Sequence, residues 1–290
     1  MSATTGRLFA RWVVVAVAGL AAGALVACAS TVPTPSNAEG TGVASTSAAL
    51  APGTVTVFAA ASLTEVFDAL AAEFEKAHPG VIVVINYGGS AGLATQLVQG
   101  APADVFAAAS PATMTTVMDA GLTGSSATAA TTPQIFASNT LEIAIPAGNP
   151  SGITSLRDFA RTELRIALCA AEVPCGAISA KAFAAANVTP APDTLEQDVR
   201  AVLTKISLGE VDAGLVYRTD VRAAVALSAT TSAPPTIEGI EFAEADSAVT
   251  TYPIVALAAA PNAPAAAAFT AFVLSAEGAK ILRAAGFGPR

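Results

Sequence analysis

From residue 54 onward the chain alternates between apolar patterns of two periods. Residues 54–59, Thr-Val-Thr-Val-Phe-Ala, carry the period of two that predicts a strand. Leu63, Val66, Phe67, Leu70 and Phe74 then recur at helical spacing and predict a helix over 63–77. Ser62 stands just before it with Glu65 three residues on, the spacing of a capping box. The alternation continues with a strand over 81–87, a helix to Gln99, a strand over 104–107 and a helix over 111–120 that opens on Pro111. A soft Thr/Ser/Ala stretch, 121–132, interrupts it. Strands are then predicted over 141–146 and 164–169, and a helix over 177–186. A helix over 199–208 follows with Asp198 as its N-cap, then a strand over 213–217. A strand at 252–257 and two Ala-rich helices, 263–274 and 276–285, complete the pattern. Strand followed by helix, repeated, predicts an α/β fold of mostly parallel sheets with helices on both faces.

The first fifty residues read differently. Arg7 and Arg11 precede an uncharged apolar run, 12–27. It is short for a membrane span, which needs ~20 residues, and fits the n-region and h-region of a secretory signal. The run ends in Leu25-Val26-Ala27-Cys28, which resembles the bacterial lipobox. In such signals the Cys is lipidated and becomes the first residue of the mature chain. Residues 1–27 are therefore expected to be a signal peptide with lipobox, and Cys28 the membrane anchor. Residues 28–53 are dominated by Ser, Thr, Pro, Ala and Gly with one charge, Glu39. Such a segment cannot bury enough apolar surface to offset its ordering entropy, so a flexible tether is expected there.

Charge narrows the function classes. The net charge is −8, and loss of Arg7 and Arg11 with the leader would take it to −10. No basic stripe exists, so a nucleic-acid partner is not expected. Any bound anion must be held by local dipoles against an unfavourable overall field. With Cys28 assigned to the lipid, Cys169 and Cys175 remain. In an exported chain a disulfide is the expected pairing. Cys-x5-Cys without a nearby His is a poor zinc pattern, and no direct protein–metal ligand is expected.

The Gly-rich stretch Asn86-Tyr87-Gly88-Gly89-Ser90-Ala91-Gly92 joins a predicted strand to a predicted helix. Free backbone N–H groups and a hydroxyl at a helix start can bind an anion without a charged side chain. The same residues spell G-x-S-x-G, a hydrolase nucleophile elbow. That chemistry needs a His after the Ser, and the one His, His78, precedes Ser90 at a predicted helix end. No Ser has Lys three residues on. The chain is therefore read as a non-enzyme. Ser62, Cys175-Gly176 and Val199 also lie at strand-to-helix turns or helix starts, and Tyr217 ends a strand. In open α/β sheets ligands bind just beyond the C-terminal strand ends. Arg and Lys are missing from the Ser62, Ser90 and Cys175 turns.

Several stretches in order and spacing make the chain, over about 54–290, resemble the extracytoplasmic molybdate-binding proteins of ABC transporters, of the type II periplasmic-binding-protein family. They are Ala59-Ala60-Ala61-Ser62-Leu63-Thr64, Tyr87-Gly88-Gly89-Ser90-Ala91-Gly92-Leu93, and Gln99-Gly100-Ala101-Pro102-Ala103-Asp104-Val105-Phe106. In the second half they are Val173-Pro174-Cys175-Gly176, Asp198-Val199-Arg200-Ala201, Gly214-Leu215-Val216-Tyr217, Thr251-Tyr252-Pro253-Ile254 and Gly286-Phe287-Gly288.

The resemblance implies a two-lobed fold with the oxyanion in the interlobe cleft. Lobe 1 would comprise 54–135 and 248–290, and lobe 2 would comprise 136–247. It implies side-chain and backbone donors at Ser62 and Ser90, backbone N–H donors at Cys175 and Val199, and the hydroxyl of Tyr217. The family usually has a small residue where this chain has Cys175, a change that a backbone donor tolerates. A Cys169–Cys175 bridge would anchor that ligand-contacting loop. The implied partners are molybdate or tungstate, carried as transported ligand with no cofactor, and the membrane subunits of an ABC permease. The protein would act as a monomer, anchored outside the cell membrane through Cys28.

The chemistry of the turns agrees. A tetrahedral dianion without a proton needs donors only. Phosphate often carries a proton and wants an acceptor such as a carboxylate, which these turns are expected to lack. Sulfate is smaller and would leave donors unreached, at ~1–3 kcal/mol for each unpaired buried group. A sulfate or other oxyanion carrier, a secreted serine hydrolase using Ser90, and a non-catalytic adhesion or sensor module are the competing readings.

Overall fold

The computed structural model describes residues 50–124, 131–232 and 234–290. The leader, Cys28 and most of the expected tether lie outside the described residues. The described residues form one compact unit.

Within that unit the strands form two five-stranded sheets, one per lobe. The first contains β1 (Gly53–Ala60), β2 (Val81–Gly88), β3 (Val105–Ala107), β4 (Gln134–Asn139) and β10 (Thr250–Ala256), in the order β2-β1-β3-β10-β4. The second contains β5 (Leu141–Pro146), β6 (Ile166–Cys169), β7 (Thr194–Glu196), β8 (Ala213–Tyr217) and β9 (Ile237–Ile240), in the order β7-β6-β8-β5-β9. The two orders are the same pattern. In each, three parallel strands are followed by one antiparallel strand, β10 or β5, which pairs antiparallel with the edge strand beyond it.

Helices cover the sheets: α1 (Thr64–Ala77), α2 (Ser90–Val98), α3 (Pro111–Asp119), α4 (Pro174–Ala186), α5 (Val199–Ser207), α6 (Arg218–Thr231), α7 (Ala263–Val273) and α8 (Ala276–Ala284). The residues that predict α1 bury one face: Val66, Phe67, Leu70 and Phe74 pack into the first-lobe core with Phe269 and Val273 of α7. The second lobe has its own core, in which Ile143, Ile166, Val202, Ile206, Leu215 and Val216 are all fully buried. Asp104 joins three segments of the first lobe, accepting from the N–H groups of Thr56 at 2.7 Å and Asn262 at 2.6 Å while its carbonyl accepts from Leu257 at 2.9 Å.

Two expectations need correction, and one helix was not foreseen. The first crossing between lobes falls between Asn139 and Leu141, not at residue 135. Gln134–Asn139 belongs to the first sheet because it pairs with β10. Helix α6 was not anticipated; it buries only Thr219, Asp220 and Val221, too few apolar positions to show a helical period. The Ser62–Glu65 capping box does not form. Residues Ala61–Leu63 make a 3₁₀ turn, α1 starts at Thr64, and its N-cap, Leu63, makes no side-chain capping bond. Both side chains have partners far away in sequence, described next.

Candidate functional site

The C-terminal ends of β1, β2, β3, β6, β7 and β8 and the residues just after them enclose a small cavity between the lobes. It offers about 20 Å³ to the centres of water-sized atoms. Ser62, Ser90, Cys175, Val199 and Tyr217 all line it, so the structure brings the five sequence-selected residues to one place. Gly88, Gly89, Ala109, Gln197 and Asp198 are also in its wall.

Each element delivers a donor for a local reason. Ser90 is the first residue of α2 and is 1 % exposed. Gly89 caps the helix without a side-chain bond, so the first-turn N–H groups keep no side-chain acceptor. Ser90 Oγ accepts from the Ala109 N–H at 3.0 Å, which leaves its own hydrogen free. In α4, Pro174 has no N–H, so the helix first offers the N–H of Cys175. The predicted disulfide is present: Cys169, ending β6, is bonded to Cys175, and both are buried in the second-lobe core. In α5, the Asp198 carboxylate accepts from the N–H groups of Arg200 and Ala201, both at 2.9 Å, as an N-cap should. That leaves the N–H of Val199, beside the cavity, without an acceptor in its own helix.

Tyr217 ends β8, is 1 % exposed, and its hydroxyl has no hydrogen-bond partner among the described residues. Burial first, then the neighbouring Tyr252 and Asp220, push its pKa well above the ordinary phenol value, so the proton stays on. A buried donor without a partner, at a cavity wall, is the sign of a group that a ligand satisfies.

Ser62, buried in the 3₁₀ turn, has Oγ 3.0 Å from Tyr252 Oη. Glu65 pairs with Arg200 of the second lobe. Among the described residues no Arg, Lys or His lines the cavity. Contrary to expectation a carboxylate does stand in its wall, that of Asp198, but it is turned onto the N-terminus of its own helix. Tyr252, Asn139 and Arg200 carry no local sequence signal of a role at this site. Tyr252 lies in one of the stretches that carry the resemblance, which was the available signal.

Close approach of the lobes depends on Gly89. A Cβ there would lie 2.2 Å from the Gln197 carbonyl oxygen of the second lobe. Ser90 has no His within reach. His78 packs on Phe74 at the end of α1, with ring centroids 4.5 Å apart. Strand β2 separates it from Ser90, eight residues at about 3.3 Å each, roughly 26 Å.

Two α/β lobes, crossed twice by the chain and enclosing a donor-lined cavity, define a protein that holds a small solute between its halves. The family of bacterial extracellular solute-binding proteins matches over residues 55–288, and the chain belongs to that family. It is 38 % identical, over 263 residues, to the molybdate-binding protein ModA of Mycobacterium tuberculosis, covering 91 % of this chain and 92 % of the relative. Among solved structures it resembles the periplasmic molybdate-binding protein of Azotobacter vinelandii, with a TM-score of 0.66, 19 % identity, and coverage of 81 % of this chain and 99 % of the other. It also resembles the sulfate-binding protein SubI of Mycobacterium tuberculosis, with a TM-score of 0.65, 20 % identity, and coverage of 81 % and 86 %. The last two are likenesses of fold.

Proposed function

We propose that this protein binds molybdate or tungstate between its lobes and delivers it to an ABC permease for import. One observation carries the reading: the Tyr217 hydroxyl, without a hydrogen-bond partner among the described residues, lies with Ser62 and Ser90 in the wall of a cavity that no cationic side chain among the described residues lines. In this reading Ser62, Ser90 and Tyr217 donate O–H bonds and Cys175 and Val199 donate N–H bonds. Helix N-termini of α2, α4 and α5 add favourable dipoles. The 38 % identity to a molybdate-binding protein supports the same ligand.

The oxyanion is cargo, held through its oxygens. The protein is not an enzyme in this reading, because the site has a hydroxyl at Ser90 and no general base beside it. It works outside the cell as a monomer, held to the membrane by lipid on Cys28.

Calorimetric titration of the purified protein with molybdate, tungstate, sulfate and phosphate, at one pH and salt, tests the proposal. Tight binding of the first two, weak sulfate and very weak phosphate is the expected outcome. Equal binding of sulfate would make this a sulfate or general oxyanion carrier. No heat from any of the four would overturn the oxyanion reading. The anchor is tested by replacing Cys28 with Ala, which should release the protein from the membrane fraction.

A further inference from the structure

We propose that Tyr252, itself held by Asn139, fixes the Ser62 hydroxyl as a donor toward the cavity and thereby makes the site select fully deprotonated tetrahedral oxyanions. The inference rests on the oxyanion reading above and adds the residue that sets its selectivity.

The argument follows hydrogens from the interior to the cavity. Asn139 is 3 % exposed and ends β4, next to the crossing between lobes. Its Oδ1 accepts from the Thr140 N–H at 3.0 Å, which assigns the two ends of the amide. Its Nδ2 can then only donate. One hydrogen goes to Thr219 Oγ1 of the second lobe at 2.8 Å and the other to Tyr252 Oη at 3.4 Å. Tyr252 Oη receives from Asn139, and in this proposal it gives its own hydrogen to Ser62 Oγ, 3.0 Å away. The Tyr217 ring stands against Tyr252, with centroids 6.0 Å apart, and the bonds of good geometry to Tyr252 Oη are those with Ser62 and Asn139. Full burial pushes the Tyr252 pKa up, which keeps that hydrogen in place.

Once Ser62 Oγ accepts from Tyr252, the Ser62 hydrogen has no acceptor among the described residues and turns to the cavity. An incoming oxygen that carries a proton would need Ser62 to accept instead, stranding a buried hydrogen. The strand geometry supports a dedicated position for Tyr252. The β10–β4 register shifts between Tyr252 and Pro253, where Pro has no N–H for the ladder, and such a shift re-aims a side chain.

The test is a double-mutant cycle on the purified protein with Tyr252→Phe and Ser62→Ala. Molybdate binding is measured directly, and phosphate binding by competition against molybdate. Phe keeps the ring against Phe136, Tyr217 and Phe287. The expected result for Tyr252→Phe is about tenfold weaker molybdate binding with phosphate binding unchanged or stronger. Preference for molybdate then falls at least about tenfold. In the Ser62→Ala background, Tyr252→Phe should change neither. Equal weakening of both anions would overturn the proposal, as would an undiminished effect without Ser62. Wild-type protein that binds no anion would instead overturn the oxyanion reading, so the two failures are distinguishable. Melting temperatures of all four proteins control for folding. Should Tyr252→Phe fail to fold, Thr219→Val, which takes one acceptor from Asn139, must shift the same molybdate-to-phosphate ratio or the proposal falls.

Discussion

Glu65, in the first turn of α1, and Arg200, in the first turn of α5, form an ion pair that joins the two lobes one residue from Val199. Arg200 also approaches the buried Asp220 at 3.9 Å. Such a pair exists only when the lobes are close, so it acts on the closed state. Both side chains keep solvent contact, and exposed pairs contribute about 0–1 kcal/mol. Glu65→Gln should therefore speed oxyanion dissociation by up to about fivefold and leave association nearly unchanged. Stopped-flow tyrosine fluorescence would measure both. A slower association at constant dissociation would mean that the pair steers entry and does not hold the lobes.

Gly89 sets how near the lobes can come. Its backbone is ordinary, with φ −60°, so glycine is required by space and not by conformation. Gly89→Ala would push its methyl against the Gln197 carbonyl and hold the cleft partly open. Overpacking of this kind costs about 1–3 kcal/mol, so affinity should fall by roughly ten- to hundredfold while the melting temperature without ligand stays close to wild type. Small-angle scattering with saturating molybdate should show less compaction. Unchanged affinity would mean that ligand does not require this contact.

Most of the first-lobe elements were legible because their periodicity is uninterrupted: the buried set Val66, Phe67, Leu70 and Phe74 is what a helical period over 63–77 demands. The five cavity residues were legible because turns at strand ends carry recognisable residue types. Ser62 and Glu65 show where local signals fail. Their spacing satisfies a capping rule, yet Ser62 is taken by Tyr252, 190 residues away, and Glu65 by Arg200, 135 residues away. No local pattern contains such partners. Strand β4 was missed for a related reason. Gln134–Asn139 is short and polar at its ends, and pairing with β10 makes it a strand.

Ser62 and Ser90 should each matter to the empty protein as well as to the ligand. A hydrogen bond to a charged group contributes about 1.5–3 kcal/mol, so Ser62→Ala and Ser90→Ala should each weaken molybdate binding by roughly ten- to hundredfold. Ser90→Ala also strands the Ala109 N–H, and Ser62→Ala the Tyr252 hydroxyl, both buried, which should each cost about 1–2 kcal/mol of stability without ligand. Titration and thermal melts on the same samples separate the two effects. Unchanged affinity in both variants would remove these hydroxyls from the site.

The Cys169–Cys175 bridge closes a loop with a sequence separation of only 6. Chain entropy for so short a loop is on the order of 2 kcal/mol, which in a protein of this size lowers the melting temperature by about 4–8 °C. The bridge also holds the first turn of α4 against β6, and Gly176 there leaves no room for a Cβ, 1.9 Å from the Ala170 carbonyl. Replacing both cysteines with Ala should therefore weaken molybdate binding by about tenfold or more besides the modest loss of stability. Mass spectrometry that finds both thiols free in exported protein would refute the structural role.

Asp220 gives the cleft a pH dependence whose sign can be worked out. Its carboxyl is 1 % exposed and its pKa is raised from 3.8 to about 7. Burial dominates, opposed by Arg200 and by the Tyr217 N–H it accepts at 3.0 Å, while Glu65 and Asp198 add to the rise. Oδ1 has no hydrogen-bond partner among the described residues. With a raised folded pKa, the folded protein holds a proton that the unfolded chain has released between pH 4 and 7. Stability therefore falls as pH rises through that window and levels off above it. Asp220→Asn cannot ionise, and its amide oxygen can still accept from Tyr217. The variant should match or trail wild type near pH 4.5 and exceed it at pH 8, by on the order of 2 kcal/mol. The same charge lies behind Tyr217, so at pH 8 the variant should also bind molybdate more tightly, with the advantage gone at pH 5. Melting curves and titrations at the two pH values read both effects. A stability difference that does not change with pH would mean that Asp220 is ionised throughout and that Arg200 compensates its burial.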